Sequence, residues 1–286
     1  MSAEPPAPGR EFPAKRVHPE PAYGLVATDL DGTLLRTDGT VSPRTRAALA
    51  AVAERGATHV VVTGRSAPWA EQVLADLGYR GLAVCGQGSQ LYDAGERRLL
   101  TSMTLDRQLA RTALARIEAE TGPLALAASQ DGVDGAVLAG PGYRVREGLA
   151  YVRFTDRDEL WVRPLNKMYL QHPALDDDAL AKAARAAAGE LVGVTVAGEG
   201  VVELLPQGLS KARGLSLAAR RLGVTAERTI AFGDMPNDIP MFDWAAHGVA
   251  MGNAHPELLA VADELTASND EDGIALVLER LLAERG

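Results

Sequence analysis

From Tyr23 onward, short runs of apolar residues alternate with longer segments whose apolar positions recur at helical spacing. Tyr23 to Thr28 reads as a buried strand that stops at Asp29. Ser42 then offers an N-cap and Pro43 suits a first helical position, predicting a helix that ends at Gly56. A second apolar strand, Val60 to Val62, stops at Thr63-Gly64-Arg65. A helix starting near Ser66 or Pro68 runs through Trp69, Val73 and Leu77 to Gly78, and Leu82 to Cys85 reads as a third strand. Short apolar strands separated by helices predict a parallel sheet covered on both faces.

The alternation is less regular from Gly88 to about Glu199. A helix is predicted from Asp106 to about Glu120 and another from Asp177 to Glu190. Strands are predicted at Leu124–Ala128, Gly135–Leu138 and Asn166–Gln171, and the insert's last strands at Leu191–Val196 and Val201–Leu205. The βα pattern then returns: helix Ser210–Leu222, strand Thr229–Phe232, helix from about Asn237 to Ala246, strand Gly248–Met251, and helices over Pro256–Ala262 and Gly273–Arg285. The fold class expected is α/β, a Rossmann-like parallel sheet core with an inserted mixed α/β cap domain. The core takes residues 22–87 and 202–286, and the insert 88–201. A ligand belongs in the cleft between them.

Composition narrows the function. Of 286 residues 47% are hydrophobic, and 38 acidic residues against 29 basic ones give a formal charge of -9. Such a chain offers no broad basic face to a nucleic-acid backbone, and no continuous apolar stretch has bilayer length, so a small ligand is the expected partner. The single cysteine, Cys85, excludes an intramolecular disulfide. Residues 1–21 carry Pro5, Pro6, Pro8, Pro13, Pro19 and Pro21 without the apolar segment of a secretory signal, and read as a flexible tail on a soluble cytoplasmic protein.

Chemistry gathers where the predicted strands stop. In Asp29-Leu30-Asp31-Gly32-Thr33, Asp29 can attack phosphorus and Asp31 can protonate the leaving oxygen and then activate water. The same residues also suit a plain turn in which the acids cap backbone N–H groups. Thr63 and Gly64 can hold phosphate oxygens before a helix, or simply end a strand; Arg65 can reach substrate, although a charge at the rim is more often solvated. Lys211, at a helix start where cations are disfavoured, points to an anion beside it, although a surface lysine satisfies the pattern equally. Gly233-Asp234-Met235-Pro236-Asn237-Asp238 follows another strand. Asp29, Asp234 and the backbone carbonyl of Asp31 make an oxygen set suited to Mg²⁺. Asp238 would stand behind them and orient Lys211, and Asn237 would fix the loop or a phosphate oxygen. No cysteine or histidine cluster has zinc-ligand spacing.

Taken in order, Asp29 to Thr33, Thr63-Gly64-Arg65, Lys211 and Gly233 to Asp238 resemble the four motifs of the haloacid dehalogenase-like hydrolase superfamily. The long insert, Val202 to Pro206, Val249 to Ala254 and Thr266 to Gly273 are similar to the Cof-type branch, which includes many sugar-phosphate phosphatases. The resemblance implies a nucleophilic Asp29, an acid and base at Asp31, and Mg²⁺ at the last motif. A second acid at Asp31 argues against a dehalogenase proper or a P-type pump. Hydrolysis of a small phosphomonoester is the leading expectation. A phosphomutase and a non-catalytic sugar-phosphate sensor are the alternatives.

Specificity is expected from the insert. Asn166, Lys167, Tyr169 and Gln171 alternate in a way that suits either a cleft wall or a half-exposed strand. Arg144, Arg146, Arg153 and Arg157 suit an acidic substrate or an ordinary surface. Cys85 reads as a small buried hydrophobe, and Trp69 and Trp244 as packing residues. The insert covers the cleft itself, so a monomer is expected, with a dimer through the insert also compatible.

Overall fold

Strand β1 (Leu25–Thr28) is buried at every position, which sets it in the middle of a sheet that is covered on both sides. The computed structural model describes residues 23–145, 149–197 and 200–284; the 1–21 tail and Arg146 lie outside the described residues. After β1 come α1 (Pro43–Glu54), β2 (Thr58–Val62), α2 (Ala67–Asp76), β3 (Leu82–Cys85), β4 (Gln90–Asp93) and β5 (Arg98–Ser102). The insert follows with α3 (Arg107–Thr121), β6 (Ala125–Gln130), β7 (Val137–Ala139), β8 (Val152–Arg153), β9 (Leu165–Gln171), α4 (Asp177–Ala188), β10 (Gly193–Val196) and β11 (Val202–Leu205). The chain ends with α5 (Lys211–Leu222), β12 (Thr229–Gly233), α6 (Ile239–Trp244), β13 (His247–Ala250), α7 (Pro256–Leu259), β14 (Glu264–Leu265) and α8 (Gly273–Ala283).

The outer sheet has the order β14-β13-β12-β1-β2-β3-β4-β5. It is parallel from β14 to β3, then antiparallel through β4 and β5. Alternate residues of β1 face opposite cores. Val26 packs with α1, α2 and α8 through Val52, Leu74 and Leu278, whereas Leu25 and Ala27 pack with α5 and α6 through Leu215 and Phe242. Ser42 caps α1 as its sequence predicts, accepting the Thr45 N–H at 3.0 Å, a contact worth about 1 kcal/mol.

The insert forms a second sheet, β10-β11-β9-β6-β7-β8, antiparallel except where β7 meets β8. Helices α3 and α4 cover one face through Leu114, Ile117, Leu180 and Ala184, against Leu126, Met168 and Leu170. The other face carries Ala127, Lys167 and Tyr169 toward the cleft.

Sheet membership corrects the expected boundaries at both ends of the insert. β4 and β5, assigned to the insert at 88–201, extend the outer sheet, whereas β11 belongs to the insert's sheet as its last strand, so the boundary at 202 falls too early. β4 folds back on β3 as an antiparallel hairpin after a tight turn, and β5 is a partly exposed edge with Arg98 and Ser102 at its ends. Neither carries the apolar run of a central strand. Near the chain's end α6 and α7 are also shorter than expected, because Ala245 leaves helical geometry and Val261 is exposed.

Candidate active site

Parallel pairing of Thr28 with Phe232 brings Asp29 and Asp234 out at neighbouring strand ends, the edge where open parallel sheets hold ligands. Lys211, the first residue of α5, reaches both Asp29 and the loop that follows Asp234. Its Nζ donates to Oδ1 of Asp29 at 2.6 Å and to Oδ1 of Asp238 at 2.7 Å. The second oxygen of Asp238 accepts the N–H groups of Asp234 and Met235, each at 3.1 Å. Asp238 is therefore fully engaged in shaping the loop and holding Lys211. Thr33 donates to Oδ1 of Asp234 at 2.8 Å. Gly32, at φ 82°, lets the first loop lie against Asp234, since a Cβ there would fall 2.4 Å from Oδ2 of Asp234.

Burial dominates the electrostatics. It raises the Asp29 carboxyl well above the usual range against the pull of Lys211, with Asp238, Asp234 and Asp31 adding to the rise. Burial and then Asp238 push Asp234 to about 7. Burial alone would lower Lys211, but Asp238 and Asp29 outweigh it and hold the ammonium above the ordinary lysine range. Asp29, Asp234 and Asp238 each offer an oxygen within 4.8 Å of the others. Three buried carboxyls facing one ammonium leave negative charge uncompensated, and every donor is a hard oxygen. These hard oxygens fit a divalent cation, with Asp238 held back from it by its own hydrogen bonds.

Asp31 stands at the rim, and both its oxygens are taken by Arg65, with Nε at 2.8 Å and Nη2 at 2.5 Å. Arg65 is thus no solvated bystander: the two strand-end loops that carry it and Asp31 meet side by side, which the sequence separation hides. Gly64 and Asn237 line the cleft; Thr63 is fully buried beneath it, and its Oγ1 accepts the Arg65 N–H at 3.0 Å. In this structure the Thr63 hydroxyl thus serves the turn that carries Gly64 and Arg65.

The cleft, about 1260 Å³, is walled on the insert side by Lys167, Tyr169 and Gln171. Asn166 points the other way, bonding Asp131, Ser102 and the Met103 carbonyl, as the two-residue period of β9 requires. Lys167 is buried, donates to Glu203 and to the Gly64 carbonyl, and lies 4.8 Å above the Tyr169 ring. Arg144 lines the cleft, Arg153 packs on Tyr151 and Arg157 pairs with Glu118. Trp69 stacks on Tyr169 across the two domains, and Cys85 is buried, its thiol pushed up to about 12 by desolvation. Gln87 carried no sequence signal, yet its amide bonds both Asn237 and Glu203. Among the described residues no helix is long and apolar enough to cross a membrane.

Comparison with known proteins agrees with this geometry. The family model for haloacid dehalogenase-like hydrolases matches residues 26–278. A protein named HMP-PP phosphatase from Serratia proteamaculans is 28% identical over 252 residues, 85% of this chain and 89% of its own. A 5-amino-6-(5-phospho-D-ribitylamino)uracil phosphatase, YwtE of Bacillus subtilis, is 29% identical over 285 residues, covering 90% of this chain and 98% of its own. The solved structure of BT4131, described as a subclass IIB sugar phosphatase of this superfamily, superposes with a TM-score of 0.74 at 22% identity, over 90% of this chain and 98% of that one. The chain therefore belongs to the haloacid dehalogenase-like hydrolase family, in its Cof-type phosphatase branch.

Proposed function

We propose that this enzyme hydrolyses a small phosphomonoester with Mg²⁺ bound at Asp29, Asp234 and the Asp31 carbonyl. The observation that carries the proposal is the contact of one buried ammonium, Lys211, with both Asp29 and the loop-shaping Asp238. A carboxylate fixed in this way at a strand end is presented as a nucleophile. Its oxygen bonds to phosphorus while the bond to the leaving oxygen breaks, giving an aspartyl phosphate. Asp31 supplies the proton to the leaving oxygen, then takes one from the water that attacks phosphorus and restores Asp29. Arg65 holds Asp31 in position, and one of their two hydrogen bonds yields as Asp31 changes protonation. The Gly64 N–H and the Asn237 Nδ2 hydrogen not given to Gln87 donate to phosphoryl oxygens, with Thr63 keeping the Gly64 turn in shape. Mg²⁺, when bound, offsets the charge of the phosphoryl oxygens and of Asp29. The insert limits the water that reaches the intermediate.

The ribitylaminouracil phosphatase relative supports a metabolite-sized substrate. We read the enzyme as a cytoplasmic monomer, because one chain supplies both walls of the cleft; mass measurement by size exclusion with light scattering checks the monomer. Phosphate release is measured with Mg²⁺ across sugar phosphates, nucleotides, pyridoxal phosphate, flavin mononucleotide and phosphoglycolate, beside the Asp29→Asn protein and a chelated control. Release confined to the Mg²⁺-loaded wild type supports the proposal. Release equal in Asp29→Asn overturns it, and isomer formation without net release assigns the protein to phosphomutases.

A further inference from the structure

One buried amide joins the insert to the loop that carries Asp234. Gln87 is 1% exposed and lies in the turn between β3 and β4. Gly86, Gln87 and Gly88 all have positive φ, at 58°, 61° and 98°. Glycine adopts this conformation freely, and at Gly88 a Cβ would fall 2.2 Å from the Ser210 carbonyl at the start of α5. Gln87 keeps a side chain in the same turn, against a backbone preference for glycine.

What the side chain touches accounts for its presence. Nε2 donates to Oε2 of Glu203 at 2.7 Å, and Oε1 accepts Nδ2 of Asn237 at 3.1 Å. A carboxylate only accepts, so the amide has one orientation that serves both partners. The other oxygen of Glu203 is held by Lys167, which also donates to the Gly64 carbonyl. The Gln87 N–H donates to the Thr63 carbonyl at 3.2 Å. A single residue of the outer domain therefore meets the insert, the turn at Gly64 and the Asp234 loop. Beyond it, Oδ1 of Asn237 is buried at the cleft with no hydrogen-bond partner among the described residues.

We propose that Gln87 is a positioning residue that couples the seating of the insert to the shape of the Gly233–Asp238 loop, an inference that rests on the phosphatase reading of this site. With the insert seated, Glu203 fixes the amide, the amide fixes Asn237, and the unpartnered Oδ1 is held at the cleft. When the insert moves away, Glu203 leaves Nε2 and Asn237 loses its orientation. The site is then complete only beneath the seated insert.

The test uses full-length variants and the best substrate of the phosphomonoester panel, with p-nitrophenyl phosphate as a second substrate. Gln87→Met and Gln87→Gly lower kcat by about 10-fold or more, as is common when a residue supporting the primary ligands is lost, with KM within about threefold. Gln87→Gly relieves the backbone but strands Glu203 and Asn237, so the melting curve of each variant is recorded and kinetics are compared only at temperatures where it is fully folded, which separates the kinetic loss from misfolding. Gln87→Glu opposes Glu203 and is slower still, and adding Glu203→Gln to it restores the three hydrogen bonds and brings kcat back to within about threefold of wild type. Hydrogen exchange at 233–238 rises in Gln87→Met while that of 211–222 is unchanged. Wild-type kcat, KM and exchange in both amide-free variants, or a swap that recovers nothing, overturns the inference. Should wild type release no phosphate from any substrate, the phosphatase reading fails, and the exchange measurement alone still decides the coupling.

Discussion

Two lysines, Lys211 in the outer domain and Lys167 in the insert, are each 1% exposed, and each faces carboxylate, yet their affinities for a proton move in opposite directions. Lys211 has two partners, Asp238 and Asp29, and their attraction outweighs desolvation, so its ammonium is firmly charged. Lys167 has one, Glu203, and desolvation prevails, pulling its affinity for a proton below the ordinary range. A lysine that must counter a nucleophile and an arriving phosphate needs a surplus of negative charge around it. A lysine that holds a domain against its neighbour needs only one partner of good geometry.

This contrast breaks most visibly at Lys211. Lys211→Met leaves Asp29 and Asp238 with no counter-ion and lowers kcat by roughly 10³-fold or more, as expected for loss of a preorganised charge at the reacting group. Phosphate release under saturating substrate and Mg²⁺ measures it, and a loss below tenfold would remove Lys211 from the chemistry. Lys167→Met strands Glu203 in the interior and costs about 3–5 kcal/mol of stability, read from urea unfolding. Adding Glu203→Leu recovers at least half of that, because two apolar groups need no counter-ion; failure to recover would mean that the pair contributes more than its own neutralisation. The third cation–carboxylate pair, Arg65–Asp31, is part-exposed, with side chains 21% and 36% accessible. Arg65→Met therefore changes stability by less than about 1 kcal/mol. It nevertheless slows kcat by about tenfold, on the order of what one misplaced acid–base group costs. Unchanged kcat would show that Asp31 finds its place without Arg65.

The parts of the molecule legible in the sequence are those in which local pattern and tertiary role coincide. β1, β2, β3 and β12 are apolar because both their faces are covered, and Asp29, Gly64 and Asp234 are recognisable because they directly follow those strands. Ser42, Asp106, Asp176 and Ser210 accept N–H groups at the starts of their helices, so these helices begin where predicted. β4 and β5 were illegible because their place is set by hairpin geometry, and their Gln90, Asp93, Arg98 and Ser102 resemble the mixed composition of the insert. The network of Gln87, Lys167 and Glu203 was hidden for a different reason. Gln87 and Glu203 lie 116 positions apart, and a lysine or glutamate carries no mark of burial until its partner is known. The sequence groups Lys167 with Asn166 as cleft candidates, whereas Asn166 faces away from the cleft, and the bond of Lys167 to the Gly64 carbonyl has no sequence signature.

The pairing of β1 with β12 also has a consequence for how the molecule comes into being. β1 emerges early with β2 ready to join it on one side, but the strand for its other side is made about two hundred residues later. At ordinary rates of synthesis of about 5–20 residues per second, that edge waits on the order of ten to forty seconds. Meanwhile the intervening chain, which carries a core of its own, has the time to fold. The nascent protein thus holds one of its most apolar strands half-paired while its cover is assembled, and the newborn chain is most vulnerable to edge-to-edge association just before β12 leaves the ribosome.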